Sequence, residues 1–248
     1  MSNTTSREIA LVTGANKGIG RETARRLAAT GMTVLLGARD IQRGEQAAAE
    51  LAADGLDVRF LHLDVTDADT VKAAAARVEQ EFGKLDVLVN NAGISVENGT
   101  AVTDITADAM RTTYETNVFG VVTVTNTLLP LLRGSANARI VNVSSLLASL
   151  SVSADPNGPL AGWPAASLLA YNSSKTALNA LTVMWANVLR ADGIKVNAAD
   201  PGYIATDLNH HSGTSTVEEG ATAIVTLATL PADGPTGTFQ SADGPHTW

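Results

Sequence analysis

Short runs of aliphatic and β-branched residues alternate with longer alanine-rich stretches along most of the chain, and this alternation constrains the fold more than any other feature. The runs are Ile9–Thr13, Thr33–Leu36, Val58–Leu63, Leu85–Asn90, Arg139–Val143 and Ile194–Ala198. They are short and largely apolar instead of alternating in polarity, the pattern of parallel strands buried on both faces. The stretches Gly20–Thr30, Gly44–Asp54, Ala68–Phe82, Ala107–Leu132 and Leu169–Asp192 read as helices. Strand and helix in turn make right-handed βαβ units, which predicts an α/β chain with a doubly wound, mostly parallel sheet of about seven strands flanked by helices. No repeat, charge block or linker interrupts residues 1–248, so one domain is expected, and 45% hydrophobic content is enough for a large core.

In such a sheet, ligands bind beyond the carboxyl ends of the strands, and the informative residues fall there. The first strand leads into Thr13-Gly14-Ala15-Asn16-Lys17-Gly18-Ile19-Gly20, followed by a helix. Glycines in this position let the backbone turn sharply and approach a pyrophosphate, while a helix N-terminus offers free N–H groups and the positive end of a dipole. The spacing T-G-x-x-x-G-x-G is one residue longer between its first two glycines than the common dinucleotide fingerprint G-x-G-x-x-G. The alternative, glycines that serve only a tight turn, is disfavoured by their place directly after the first strand.

At the end of the second strand, where a site for NAD usually has an acid to grip the ribose 2′-hydroxyl, stands Arg39. With Lys17 it supplies two cations suited to a 2′-phosphate, which points to NADP(H). Asp40 follows directly, and the alternative is a solvated Arg39–Asp40 ion pair with NAD as cofactor.

Two further motifs complete a pattern. Asn90-Asn91-Ala92-Gly93 follows the fourth strand, and Tyr171-x-x-x-Lys175 opens a late helix. With T-G-x-x-x-G-x-G these resemble, over nearly the whole chain, the short-chain dehydrogenase/reductase family, a Rossmann-type fold. Pro201–Leu208 and Gly234–Gly237 look like its carbonyl reductase branch. The resemblance implies cofactor contacts at Gly14, Asn16, Lys17, Gly18, Ile19, Gly20, Arg39, Asp64, Val65, Asn91, Ala92, Gly93, Tyr171, Lys175, Pro201, Gly202, Ile204 and Thr206. Within that set Asp64 and Val65 would flank the adenine, and Thr206 would bond the nicotinamide carboxamide.

Tyr171 and Lys175 lie one turn apart on one helix face, so an ammonium can sit beside a phenol. A phenol ordinarily titrates near pH ~10, and a neighbouring cation favours the phenolate. The expected chemistry is reduction of a ketone or aldehyde, with Tyr171 donating a proton to the carbonyl oxygen as hydride reaches the carbonyl carbon. By resemblance, Ser145 polarises the carbonyl, with Ser144 the alternative, and Asn117 helps hold a water beside Lys175. A binding regulator without turnover would carry a damaged serine, tyrosine or lysine, and none is damaged here. An NAD-dependent alcohol dehydrogenase is the other alternative.

Composition excludes other classes. The chain has no cysteine, which removes disulfides and thiolate metal ligands, and a net charge of −8, which disfavours binding to a phosphate backbone. The polar start Met1–Arg7 lacks a secretory pattern, and the most apolar stretch, Val118–Leu132, contains several threonines, Asn126 and Pro130. A cytoplasmic protein with no nucleic-acid or membrane partner is expected.

His210-His211 has no third ligand in view, so no metal is expected and the pair reads as polarity in a substrate loop. Trp163 is placed to wall a substrate pocket, and Trp185 reads as core or interface. The pocket should be shaped by Ser95–Thr100, Leu146–Trp163 and Tyr203–Thr216, segments with no readable code for the substrate. The irregular segment Ser149–Ala166 makes the interval from Ser145 to Tyr171 longer than the family usually has. An insertion there can cover the face through which family tetramers form, so a monomer is expected.

Overall fold

The computed structural model describes residues 7–97, 99–163 and 168–248. Its strands are β1 (Ile9–Thr13), β2 (Thr33–Ala38), β3 (Val58–His62), β4 (Val87–Asn90), β5 (Arg139–Val143), β6 (Lys195–Ala199), β7 (Phe239–Ser241) and β8 (Gly244–Pro245). They form one sheet in the order β3-β2-β1-β4-β5-β6-β7-β8. Pairing is parallel from β3 through β7, and β8 is antiparallel to β7. The strand order reverses between β1 and β4, so a crevice opens beyond their carboxyl ends.

The side-chain period of two sorts β1 between two cores. Ala10 and Val12 face a layer made by α1 (Gly18–Ala29), α2 (Ile41–Ala53) and α8 (Val217–Ala228). Ile9 and Leu11 face a layer made by α3 (Ala68–Phe82), α5 (Val121–Arg133) and α7 (Leu169–Leu189). Both faces of β1 are therefore buried, which is why its sequence shows no polar alternation.

The six expected strands are β1 to β6, each with ends within two residues of the expected ones. The seventh and eighth are too short to show a pattern. Helix α2 starts three residues before the expected Gly44, because the Asp40 carboxylate caps it by accepting from the Arg43 N–H at 3.0 Å. Helix α8 was not among the expected helices, although Thr216 and Glu219 form the capping box that announces its start.

The largest departure is in Ala107–Leu132, expected as one helix. It is α4 (Ala107–Tyr114), a π-helical turn (Glu115–Gly120) and α5. Two contacts account for the interruption. The side chain of Asn117 is turned away to the backbone of Ile94, and Gly120 packs so closely on Val65 that a Cβ there would lie 2.9 Å from it. Leu169–Asp192 is α7 followed by a 3₁₀ turn, Arg190–Asp192. In the irregular segment, Ser149 caps a one-turn helix, α6 (Leu150–Ser153), while residues 164–166 of that segment lie outside the described residues. No helix among the described residues is long and apolar enough to cross a membrane.

Candidate functional site

The loops at the carboxyl ends of β1, β2, β4, β5 and β6 meet in a cleft of about 1310 Å³. It is lined by every residue expected to contact a cofactor, from Gly14 to Thr206, and by Ser145. Asn117 does not line it; fully buried, it stands behind the loop that follows β4.

The floor is built by the first loop. Gly14 and Gly18 both have positive φ, 62° and 56°, which side chains rarely tolerate. Gly20 has no room for a Cβ, which would sit 2.4 Å from Asn91 Nδ2. Asn91 is the strut: its Nδ2 donates to the carbonyls of Thr13 at 2.8 Å and Gly14 at 3.2 Å. In return the Thr13 hydroxyl accepts from the N–H groups of Asn91 and Ala92, both at 3.0 Å. These four bonds fix the glycine loop to the end of β4 and leave the first N–H groups of α1 facing the cleft. Asp64 closes one side in a tight turn, its Oδ1 accepting from the Thr66 N–H at 2.9 Å.

The two cations expected to act together are in different situations. Arg39 lines the cleft, is exposed and has no ion pair among the described residues. Asp40 pairs with Arg43 at 3.5 Å, so an Arg39–Asp40 pair is not formed. Lys17 is engaged by Asp207 at 2.5 Å, across from the loop after β6. That bond, first, and His211 at 2.9 Å hold the Asp207 carboxyl below its ordinary range. Lys17 is thus shared with a carboxylate, a partner that spacing in the sequence did not reveal.

At the other end of the cleft stand Ser145, Tyr171 and Lys175. The Ser145 side chain lies close enough to the Tyr171 hydroxyl to favour its phenolate. Lys175 Nζ lies 5.7 Å from the centre of the Tyr171 ring and donates to the Val143 carbonyl at 2.8 Å. Burial lowers the Lys175 pKa to about 8. Burial, followed by the charge of Asp200, pushes the Tyr171 phenol well above its ordinary value, and only Ser145 opposes this. The expected downward pull of Lys175 on the phenol is absent, since Lys175 Nζ is turned to the Val143 carbonyl, and Tyr171 carries its proton at neutral pH. Ser144, the alternative to Ser145, is turned into the core and donates to Asn179 Oδ1 at 2.6 Å.

Asn117 is committed on all sides. Its Oδ1 accepts from the Ile94 N–H at 2.9 Å, and its Nδ2 donates to the Ile94 carbonyl at 2.9 Å and to Ser174 Oγ at 3.0 Å. In the substrate half, Trp163 meets Tyr203 edge to face at 5.1 Å, while Trp185 packs on the core. His210 and His211 both have positive φ and sit on the cleft rim.

Two residues of the cleft carry signals that sequence reading did not find. Asp200, given no role there, accepts from the Gly202 N–H at 3.0 Å and pairs with His246 at 2.9 Å. Glu97, a nearly fully buried acid, accepts from the N–H groups of Ala170 and Tyr171. The Asp200–His246 pair and the Glu97 contacts join residues distant in sequence, so no spacing announces them.

Comparison with known proteins agrees with this geometry. A family model described as short chain dehydrogenase matches residues 8–216. Carbonyl reductase (NADPH) 1 of Homo sapiens is 35% identical, over 97% of this chain and 98% of its own. Salutaridine reductase of Papaver somniferum is 34% identical, over 95% of this chain and 94% of its own. The crystal structure of NADPH-bound carbonyl reductase from chicken fatty liver superposes with a TM-score of 0.85 at 31% identity, covering 98% of this chain and 99% of that one.

Proposed function

The chain belongs to the short-chain dehydrogenase family, and from that premise we propose that it is an NADP(H)-dependent carbonyl reductase in which residues 1–248 act as one dinucleotide-binding and catalytic domain. The observation that carries this reading is the convergence of Ser145, Tyr171 and Lys175 on the far end of the cleft that the glycine loop opens. The relatives named carbonyl reductase point the same way, and their names specify NADPH.

The cleft suits that cofactor. Cβ atoms at Gly14 and Gly20 would crowd Ala92 and Asn91, so only glycine lets the backbone here approach a pyrophosphate, and Arg39, without an ion pair among the described residues, offers its guanidinium at the rim for a 2′-phosphate. Asn16, Lys17, Gly18 and Ile19 would hold the phosphates, Asp64 and Val65 the adenine, and Asn91, Ala92 and Gly93 the nicotinamide ribose together with Tyr171 and Lys175. Pro201, Gly202, Ile204 and Thr206 would hold the nicotinamide. When bound, the cofactor supplies hydride to the carbonyl carbon.

The chain's own groups supply the rest. Ser145 donates a hydrogen bond to the substrate oxygen and stabilises the charge that develops there. Tyr171, kept protonated by burial, gives that oxygen its proton. Lys175, titrating near pH 8, is mostly cationic at neutral pH and stabilises the phenolate that remains. Asn117 fixes the backbone of Ile94 against Ser174 and so holds the floor beneath Lys175. A protonated phenol suits reduction better than oxidation, which favours the reductive direction.

The substrate would be a small ketone or aldehyde held beside Trp163 and Tyr203, and the enzyme is proposed to work in the cytoplasm as a monomer. Its test is NADPH oxidation with a panel of aryl ketones, α-ketoesters and aldehydes, compared with NADH. Turnover preferring NADPH is expected; nucleotide binding with no turnover on any of them would favour a regulator. The Lys17–Asp207 pair favours one competing reading, an NAD-dependent dehydrogenase, since it occupies one of the two cations. Preference for NADH would establish it.

A further inference from the structure

Helix α7 starts without a cap of its own: Leu168 precedes it and has no side-chain acceptor, so the N–H groups of the first turn need partners from elsewhere. Two of them find Glu97. Its Oε1 accepts from the Ala170 N–H at 2.8 Å and its Oε2 from the Tyr171 N–H at 2.6 Å. Glu97 is 1% exposed and makes no ion pair among the described residues, so the helix N-terminus is what balances its charge. A buried carboxylate with both oxygens committed to one peptide segment is costly to leave without those bonds.

The other end of the same residue is also held. The Tyr171 carbonyl accepts from Ser174 Oγ at 2.7 Å, and Ser174 Oγ in turn accepts from Asn117 Nδ2 at 3.0 Å. Glu97 and Asn117 share an origin, because Asn117 bonds both the N–H and the carbonyl of Ile94, three residues before Glu97. The N–H of Thr100 donates to the Glu97 carbonyl at 2.9 Å and closes the loop behind it. The Tyr171 N–H is thus held by the loop after β4, the one that passes the cleft, and its C=O by Ser174 of the same helix, which Asn117 ties to Ile94 of that loop.

Resting on the reading of Tyr171 as the proton donor, we infer that Glu97 is a positioning residue for that donor: it anchors the first turn of α7 through the N–H of Tyr171 itself. The phenol hydroxyl hangs from that turn, so fraying moves it relative to Ser145 and to the substrate oxygen. A misplacement of about 1 Å can cost roughly 10²-fold in rate.

The test uses Glu97→Ala and Glu97→Gln in the full chain. The alanine variant removes both acceptors; the glutamine variant keeps the volume and one acceptor oxygen. Expected are a fall in kcat of about 10²-fold for alanine and about tenfold for glutamine, with the NADPH Kd and the ketone KM within about threefold of wild type. Adding Leu168→Asp to Glu97→Ala supplies a local cap and should restore about tenfold of the loss. Unchanged kcat in Glu97→Ala would overturn the inference, as would a loss of NADPH affinity that matches the loss of rate in Glu97→Gln. Amide exchange gives a readout free of activity: the Ala170 and Tyr171 N–H groups should lose protection in Glu97→Ala with the rest of α7 unchanged. Retained protection overturns the anchor. Lost protection with a wild type that reduces no ketone leaves the anchor standing and sinks the reductase reading.

Discussion

His246 reaches back from the C-terminal end of the chain to pair with Asp200 at 2.9 Å, directly beneath the turn that carries Pro201 and Gly202. Asp200 is buried and is the second largest cause, after burial, of the high pKa of Tyr171. The C-terminal residues thereby help hold an acid close enough to the phenol to affect its proton. Trp248 stacks on Phe239 at 5.6 Å, and Ser151 Oγ bonds Thr247 Oγ1 at 2.7 Å, so the same tail ties β7 to the segment after β5.

Replacing Asp200 by Asn removes a negative charge that disfavours the phenolate. The Tyr171 pKa then falls, and with it the pH above which the proton donor is lost. Phenolate absorbance of Tyr171, read as the part of the ultraviolet pH titration that Tyr171→Phe removes, should appear at lower pH in Asp200→Asn than in wild type. A phenolate titration that stays in place would mean that Asp200 acts only on the Gly202 backbone.

Lys175 makes stability depend on pH in a defined direction. Its pKa is about 8 in the folded protein against an ordinary 10.5, so between these values the unfolded chain binds more protons and stability rises with pH. Below pH 8 the buried cation is fully charged and the penalty is complete. The gap corresponds to roughly 3 kcal/mol, and losing the Val143 hydrogen bond offsets about 1 kcal/mol of it. Lys175→Met should therefore be more stable than wild type by about 2 kcal/mol at pH 7 without nucleotide, with the advantage disappearing as pH approaches 10.5. Urea denaturation at several pH values checks this.

Arg39 and Asp207 should act on cofactor choice in opposite senses. Arg39→Asp places an acid where the 2′-phosphate would lie and should lower kcat/KM for NADPH by about 10- to 100-fold while leaving NADH within a few-fold, an effect of roughly 1.4–2.7 kcal/mol. Asp207→Asn frees Lys17 from its ion pair and should raise the NADPH preference a few-fold. Initial rates with both nucleotides separate the two.

The parts of this account that rest on short stretches of chain were legible in the sequence. Strands β1 to β6 announce themselves because burial on both faces forces continuous apolar runs, and the glycine loop, Asn91 and the Tyr171–Lys175 pair sit at fixed places relative to them. Helix α8 was legible too, through Thr216 and Glu219, but its pattern merges with the small and polar residues around it. What could not be read were contacts between distant residues. Asn117 breaks an otherwise uniform helical pattern because Ile94 and Ser174 draw its side chain, and nothing near it in sequence shows that pull. The same holds for Glu97 on α7 and His246 on Asp200. The direction of the Tyr171 pKa also depends on burial and on Asp200, neither of which the spacing to Lys175 reveals.

The central claim is that Tyr171 is the proton donor of a carbonyl reductase. It is tested most directly by Tyr171→Phe, with NADPH binding measured by fluorescence and ketone reduction followed by NADPH oxidation in the same preparations. The account predicts an unchanged NADPH Kd within about threefold and a fall in kcat of at least 10²-fold, the range by which general acid catalysis contributes. A Tyr171→Phe protein that reduces ketones at the wild-type rate would contradict it.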